Sequence, residues 1–289
     1  MNTIQNSFLR ISVKEKGAEL SSLCTIENDE KEYVWQADPD FWGRSSPILF
    51  PIIGLLKGNE YTYQGKTYAM NGHGFARDAE FQCIEKKQNR LVYKYQSNEQ
   101  TLKHYPFLFE LFIIYEIKDN RVDIYYEVIN SDNKPIFFSI GGHPAFNCNL
   151  NEGNTVLEFE KDERVEIGIV NQQVGLMKNE KKSIPLIQKQ LLLTNDLFAE
   201  YGTLVFEKLK SNIIILKDRK ANTILKMTMD GFPYVGVWTP KKPAPFVCIE
   251  PWVGLPDMED ANQVLEEKKG IQRLEAGKTF KVSYQMEIL

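Results

Sequence analysis

The amino-acid sequence predicts an all-β, mainly antiparallel fold, and three observations carry that expectation. Apolar and polar side chains alternate at period two over long stretches, which puts successive residues on opposite faces of a strand. Such stretches recur at roughly ten-residue spacing between short turn signals, as in sandwiches and barrels. The alternation of a strand with a helix of about 10–15 residues, which marks α/β domains, is missing.

The elements follow in chain order. Gln64-Gly65 separates segments 61–63 and 66–70 and reads as a hairpin turn. Lys118-Asp119-Asn120 turns the chain into segment 121–129, where Val122, Ile124, Tyr126 and Val128 share one face and Asp123, Tyr125 and Glu127 the other. Residues 217–222 serve as a turn before segment 223–228. At the C-terminus Phe280, Val282, Tyr284, Met286 and Ile288 alternate with Lys281, Ser283, Gln285 and Glu287. Both long segments read as half-buried antiparallel strands. Helical signals are sparse. The best covers residues 258–269, with Asp257 as cap, Val264 and Leu265 as a thin apolar stripe and Gly270 as terminator. Residues 186–197 fit a short helix or, through Leu191-Leu192-Leu193, a strand. The 289 residues contain no low-complexity linker and no fixed-period repeat, so one large β domain over residues 1–289 is expected.

Composition narrows the function. Thirty-five basic side chains face 39 acidic ones, a formal charge of −4, which argues against a nucleic-acid binder needing a basic excess. No apolar run approaches the length of a membrane span, and residues 1–19 contain no apolar core of a signal peptide, so no membrane association and a cytoplasmic location are expected. Cys24, Cys83, Cys148 and Cys248 are far apart and form no CxxC pair, which favours reduced thiols.

Three stretches break the strand pattern and concentrate reactive residues: Asn71-Gly72-His73-Gly74-Phe75-Ala76-Arg77, Gly141-Gly142-His143-Pro144-Ala145-Phe146-Asn147 and Cys248-Ile249-Glu250-Pro251-Trp252. Glycine beside each histidine allows positive φ and close approach to a ligand, and Pro144 stiffens the chain after His143. Segment 246–250 reads as an apolar strand ending on a carboxylate, whose burial would raise its pKa above about 4.3. Two imidazoles and such a carboxylate suit general acid/base chemistry near neutral pH. A lone histidine in a β protein is by default a hydrogen-bonded structural residue, and His104, without a glycine partner, stays in that class. Phe75, Trp238 and Trp252 are by default core.

Competing chemistries are weaker. His73, His143 and Glu250 are a familiar metal ligand set, but they lie 70 and 107 residues apart with no close pair to pre-arrange ligands. Glu250 is the single carboxylate that stands out where a glycosidase needs two. Cys148 near His143 has no readable third residue or oxyanion loop, and no P-loop or GxGxxG is present.

These stretches, in this order, resemble the signatures of the aldose 1-epimerase (galactose mutarotase) family, and with Arg44-Ser45-Ser46-Pro47-Ile48-Leu49-Phe50-Pro51 the sequence looks most like the bacterial LacX-type branch. The resemblance spans from about Gly17 to the C-terminus. It implies a large antiparallel β-sandwich with an open sugar cleft and interconversion of the α and β anomers of a free aldose without cofactor or metal. It further implies Glu250 as base, His143 as acid and His73 as a second imidazole near the ring oxygen. Sugars need polar forks for hydroxyls and an apolar platform for C–H faces. Arg77 and Arg44 are candidate forks, Phe75 and Trp238 candidate platforms. Asp218 is a possible counterpart of a hydroxyl-binding acid in galactose mutarotases, although its local motif departs from theirs. HGFAR, lacking the further glycine after His-Gly of galactose mutarotases, leaves the sugar open. A hexose-6-phosphate, with Arg44, Arg77 and Lys57 around the phosphate, is the nearest alternative substrate. A carbohydrate-binding protein without turnover is the third reading.

Overall fold

The two segments with the clearest alternation lie side by side in the structure, a computed structural model that describes residues 1–26, 31–150, 154–218, 222–241 and 243–289. Arg121–Asn130 pairs antiparallel with Thr279–Glu287, in register from Arg121↔Glu287 to Ile129↔Thr279. Val122, Ile124, Tyr126 and Val128 are fully buried together with Tyr284 and Met286. The opposite face is less solvated than the alternation predicts. Asp123 is buried there too, and Arg121 Nε at 2.7 Å and Lys118 Nζ at 3.2 Å neutralise its carboxylate.

These strands are the centre of a nine-stranded sheet ordered Gln190–Leu193, Thr155–Phe159, Ile213–Asp218, Thr223–Thr228, Thr279–Glu287, Arg121–Asn130, Phe109–Lys118, Arg90–Gln96 and Gln82–Lys87. A second large sheet runs Leu176–Ile184, Val165–Asn171, Leu204–Glu207, Tyr234–Trp238, Phe246–Val253, Ile140–Gly142 and Ile48–Leu49, with Ala145–Asn147 also paired to Phe246–Val253. Inward side chains of both sheets merge into one apolar cluster that extends from Ile4 to Ile288. The molecule is thus an antiparallel β-sandwich. Asn2–Gln5, Leu9–Val13 and Leu20–Thr25 form a three-stranded sheet.

The expected hairpins form. Gln64-Gly65 joins Glu60–Tyr63 to Lys66–Ala69, and Asp119-Asn120 joins Phe109–Lys118 to Arg121–Asn130, with Gln64 and Asp119 at positive φ. The turn at 217–222 falls partly on residues 219–221, outside the described ones. Its flanks meet where the Asp218 carboxylate accepts the Asn222 backbone N–H at 2.9 Å. Residues 186–197 satisfy both readings in succession: the strand Gln190–Leu193, then a helix Asn195–Tyr201 whose N-cap Thr194 accepts the Leu197 N–H.

The helix expected over 258–269 does not form, apart from a 3₁₀ turn at Leu265–Glu267. Neighbouring segments take its backbone groups: Met177 bonds Asp257 and Glu259, and Thr62 bonds Gln263, which stands at φ 65°. Asp257, instead of capping, accepts the Lys57 backbone N–H and pairs with buried Lys268 Nζ at 2.7 Å. A helix that the alternation does not suggest occupies Glu99–His104, where Asn98 and Thr101 form a capping box.

Gly74 is confined by backbone. At φ 73° a Cβ would stand 2.2 Å from the Phe50 carbonyl oxygen. Gly74→Ala is therefore expected to lower the free energy of unfolding by at least ~2 kcal/mol. Urea denaturation checks this, and an unchanged midpoint would show that the turn can shift without cost.

Candidate active site

Strand register brings the second and third sequence stretches together. Ile140↔Val253 and Gly141↔Trp252 on one side, and Ala145↔Cys248 to Asn147↔Phe246 on the other, belong to one continuous register against Phe246–Val253. His143, at the corner between the two short strands, therefore falls opposite Glu250 and on the same face. The outcome is a His143 Nε2 to Glu250 Oε2 distance of 3.3 Å, with both residues buried. Gly236 stands opposite Glu250 on its other side. A Cβ at Gly236 would lie 2.5 Å from the Trp252 ring, so glycine here lets the indole lie against the sheet beside the carboxylate.

Both histidine loops are tied to one segment, residues 44–54. The Pro47 carbonyl accepts the His143 N–H at 3.0 Å and the Ser45 carbonyl that of Ala145 at 2.9 Å. Buried Glu19 fixes the start of the segment by accepting the Ser45 and Ser46 N–H groups at 2.6 and 3.0 Å. At its other end, the Phe50 carbonyl accepts Phe75 and Ala76 N–H groups and the Gly54 carbonyl accepts that of His73 at 2.7 Å.

The last contact also sets the tautomer of His73. The Gly54 N–H donates to His73 Nδ1 at 3.2 Å, so Nδ1 is the acceptor and the ring proton sits on Nε2. His73 holds φ 63°, and its ring meets that of His143 edge-on at a centroid distance of 5.6 Å. Burial pushes its pKa down to about 3, with the Arg77 and Arg44 guanidiniums adding to the effect. It is a neutral, oriented hydrogen-bond donor.

His143 is likewise held well below the ordinary histidine value, by burial first and then by the neighbouring His73, Arg77 and Arg44. Burial drives Glu250 the other way, well above the ordinary carboxylate value, against the smaller opposing influence of the Trp252 indole. His143 Nδ1, Glu250 Oε2 and Trp252 Nε1 are buried without a hydrogen-bond partner. Unpaired buried polar atoms are costly, and their concentration at one spot marks a place where a polar ligand would be welcome.

Around this pair the side chains keep partial exposure. Trp42 stacks on the His143 ring at 4.8 Å and Trp238 meets it edge-on at 5.5 Å. Arg44 and Arg77 lie together: Arg44 Nη2 pairs with Asp78 at 2.8 Å and Nη1 donates to the Arg77 carbonyl at 3.3 Å, while Arg77 Nη2 donates to the Gly72 carbonyl at 2.7 Å. His73, His143, Glu250, Trp238, Arg44 and Arg77 are thus gathered in one neighbourhood. Three other candidates are not. Phe75 turns into the apolar cluster against Phe50, Tyr105 and Phe109. Lys57 Nζ donates to the Ala261 carbonyl at 3.3 Å. Asp218 ends a strand of the opposite sheet. Exposed His104 contacts the Ala69 carbonyl, and burial pushes the Cys148 thiol up to about 12, which leaves it a poor nucleophile. Trp42, which no motif singled out, and Cys248, the first residue of the third stretch but given no role there, lie beside these groups. Trp42 stands two residues before Arg44, and Cys248 shares the strand face of Glu250.

The set of His73, His143 and Glu250, weighed from sequence as a weaker alternative, is not among the clusters with metal-ligand spacing found in the described residues. His143, Cys248 and Glu250 instead bring their donor atoms within 4.8 Å of one another. No helix among the described residues is long and apolar enough to cross a membrane.

Comparison with known proteins extends the resemblance to the start of the chain. The family model described as aldose 1-epimerase matches residues 1–286. The chromosomal LacX protein of Lactococcus lactis subsp. lactis is 32% identical over 298 residues, spanning 99% of this chain and 98% of the relative. Among solved structures, a galactose mutarotase-like protein from Lactobacillus casei has a TM-score of 0.94 at 33% identity over 100% of both chains. A galactose mutarotase related enzyme from Lactobacillus acidophilus gives 0.92 at 33% identity, over 100% of this chain and 97% of that one.

Native His73 titrates near 3 and an unfolded histidine near 6.5, so between these values the unfolded state binds more protons. Stability from this group is complete above about pH 6.5 and is lost as pH falls toward 3. His73→Asn keeps a residue that tolerates positive φ and removes the titration. The drop in urea midpoint between pH 7.5 and 5.0 is expected to be smaller in this variant than in the wild type, and equal drops would refute the assignment.

Proposed function

The chain belongs to the aldose 1-epimerase family, and from that premise we propose that it interconverts the α and β anomers of a free hexose, without cofactor, by acid/base ring opening with Glu250 as base and His143 as acid. The 3.3 Å approach of His143 Nε2 to Glu250 Oε2, with His143 Nδ1 and Glu250 Oε2 lacking hydrogen-bond partners, is the observation that carries the reading. In this reading one proton belongs to the pair, carried by one group or the other. Held on Glu250 it gives the neutral pair that burial favours. Held on His143 Nε2 it gives the carboxylate–imidazolium pair that the reaction uses, and neither form changes the net charge of the site.

In the reactive form the Glu250 carboxylate takes the proton of the anomeric O1–H and C1=O1 forms. The C1–O5 bond breaks, and O5 receives the proton of His143 Nε2. Rotation about C1–C2 presents the other face of the aldehyde. Closure then reverses both transfers, O5–H returning its proton to His143 and Glu250 returning its own to O1. The Nε2–H of His73 is suited to hold the sugar near the ring oxygen. Arg77 and Arg44 are forks for hydroxyls, and Trp238 with Trp42 offers aromatic surface for C–H faces.

A phosphorylated hexose is the second reading, favoured by the adjacency of Arg44 and Arg77. Asp78 balances one of those charges, and Lys57 is engaged elsewhere, so the neutral sugar fits better.

Polarimetry on freshly dissolved α-D-glucose, α-D-galactose and glucose-6-phosphate separates the two. Glu250→Gln and His143→Asn are each expected to slow anomerisation by about 10²–10⁴-fold with unchanged circular dichroism. Undiminished rates in either variant would sink that residue's role. Sugar binding without anomer exchange in NMR would identify a carbohydrate-binding protein instead.

A further inference from the structure

Cys248 has no part in the proton transfers, yet it stands on the same face of the same strand as Glu250, two residues away, within the aromatic surround of Trp42, Trp238 and Phe246. We propose that His143, Cys248 and Glu250 form a site for a thiophilic divalent cation such as Zn²⁺ or Cd²⁺, which inhibits by occupying the acid and the base together.

The donor set is one imidazole nitrogen, one sulfur and one carboxylate oxygen, a mixed set that suits zinc-like ions. Metal–ligand distances of about 2.0–2.3 Å put the donors of a tetrahedral site roughly 3.3–3.6 Å apart. The His143–Glu250 pair already has this spacing at 3.3 Å. The widest donor pair, within 4.8 Å, needs to close by about 1 Å, a movement within reach of side-chain rotation. The backbone is ready for it, because Cys248 and Glu250 lie on one fully buried strand and His143 is fixed opposite them by register and by the Pro47 carbonyl. Glu250 Oε2 lacks a hydrogen-bond partner, so a cation would satisfy an atom that the fold leaves unpaired.

Binding balances as follows. The Cys248 S–H bond breaks, its sulfur bonds the cation and its proton goes to solvent. The proton shared by Glu250 and His143 leaves as well, and a water or a sugar hydroxyl takes the fourth position. The loss of that shared proton and the filling of both groups make sugar turnover and cation binding mutually exclusive. This inhibitory consequence rests on the proposed epimerase chemistry, whereas the site itself does not.

The test uses the reduced full chain with Cd²⁺ and Zn²⁺. Cd²⁺ is expected to give a thiolate-to-metal absorption band with one-to-one stoichiometry, absent in Cys248→Ala and retained in Cys24→Ala, a control at the other buried thiol beside a carboxylate. Calorimetry is expected to show Zn²⁺ binding at least tenfold weaker in Cys248→Ala. Cys248→Ser, which keeps the side-chain size, gives the same result if folding of the alanine variant is in doubt. Where mutarotation is present, Zn²⁺ should abolish it in the wild type, a chelator should restore it, and whatever rate Cys248→Ala retains should resist Zn²⁺. An absorption band that survives loss of Cys248, or equal Zn²⁺ binding by both proteins, overturns the proposal. So does mutarotation equally sensitive to Zn²⁺ in both. A Cys248-dependent band in a protein that anomerises no sugar would leave the metal site standing and overturn the enzymatic reading alone.

Discussion

A carboxylate held without adequate partners on a strand buried on both faces is the constraint around which the rest of the molecule is arranged. All eight residues of Phe246–Val253 are buried. One face contributes Val247, Ile249 and Val253 to the main core, each worth about 1.5–3 kcal/mol on full burial. The other face carries Phe246, Cys248, Glu250 and Trp252. The cost of desolvating Glu250, of the order of several kcal/mol, is therefore borne by a strand whose apolar half is firmly packed. Relieving that cost locally with a salt bridge would remove the unpaired oxygen on which the proposed proton transfer depends.

Positioning follows from backbone rather than from side-chain networks. Residues 44–54 form a brace that accepts N–H groups from both histidine loops, and Glu19 anchors one end of it. Two imidazoles 70 residues apart in sequence thereby meet at 5.6 Å, the His73 ring oriented by the Gly54 N–H and the His143 ring lying against Trp42 and Trp238. Backbone carbonyls cannot change their identity by mutation, so this arrangement is robust to substitution along the brace as long as the chain path is kept.

Much of the fold was legible in the sequence because half-buried strands expose their geometry as period two, and residues 121–129 and 280–288 show it plainly. The helix expected at 258–269 failed for a reason that periodicity cannot carry: backbone partners at Met177 and Thr62, far off in the chain, claim that segment. Within the site, the glycine contexts distinguished His73 and His143 from His104. That Glu250 faces His143 was not readable, since it depends on the pairing of strands about a hundred residues apart. Phe75 misled because its motif neighbour His73 turns through positive φ and sends the next ring inward. Trp42 carried no local signal and Cys248 had no role of its own within the third stretch, so geometry alone places both beside His143 and Glu250.

The chain has four tryptophans, and all four surround the same few side chains. Trp42 and Trp238 touch the His143 ring, Trp252 flanks Glu250, and Trp35 stacks on Phe246 at 4.6 Å while its indole N–H donates to the Trp42 carbonyl. Nothing elsewhere in the sandwich contributes indole emission. Intrinsic fluorescence of this protein is consequently a local optical signal, carrying the occupancy and charge of one small region rather than an average over the whole chain.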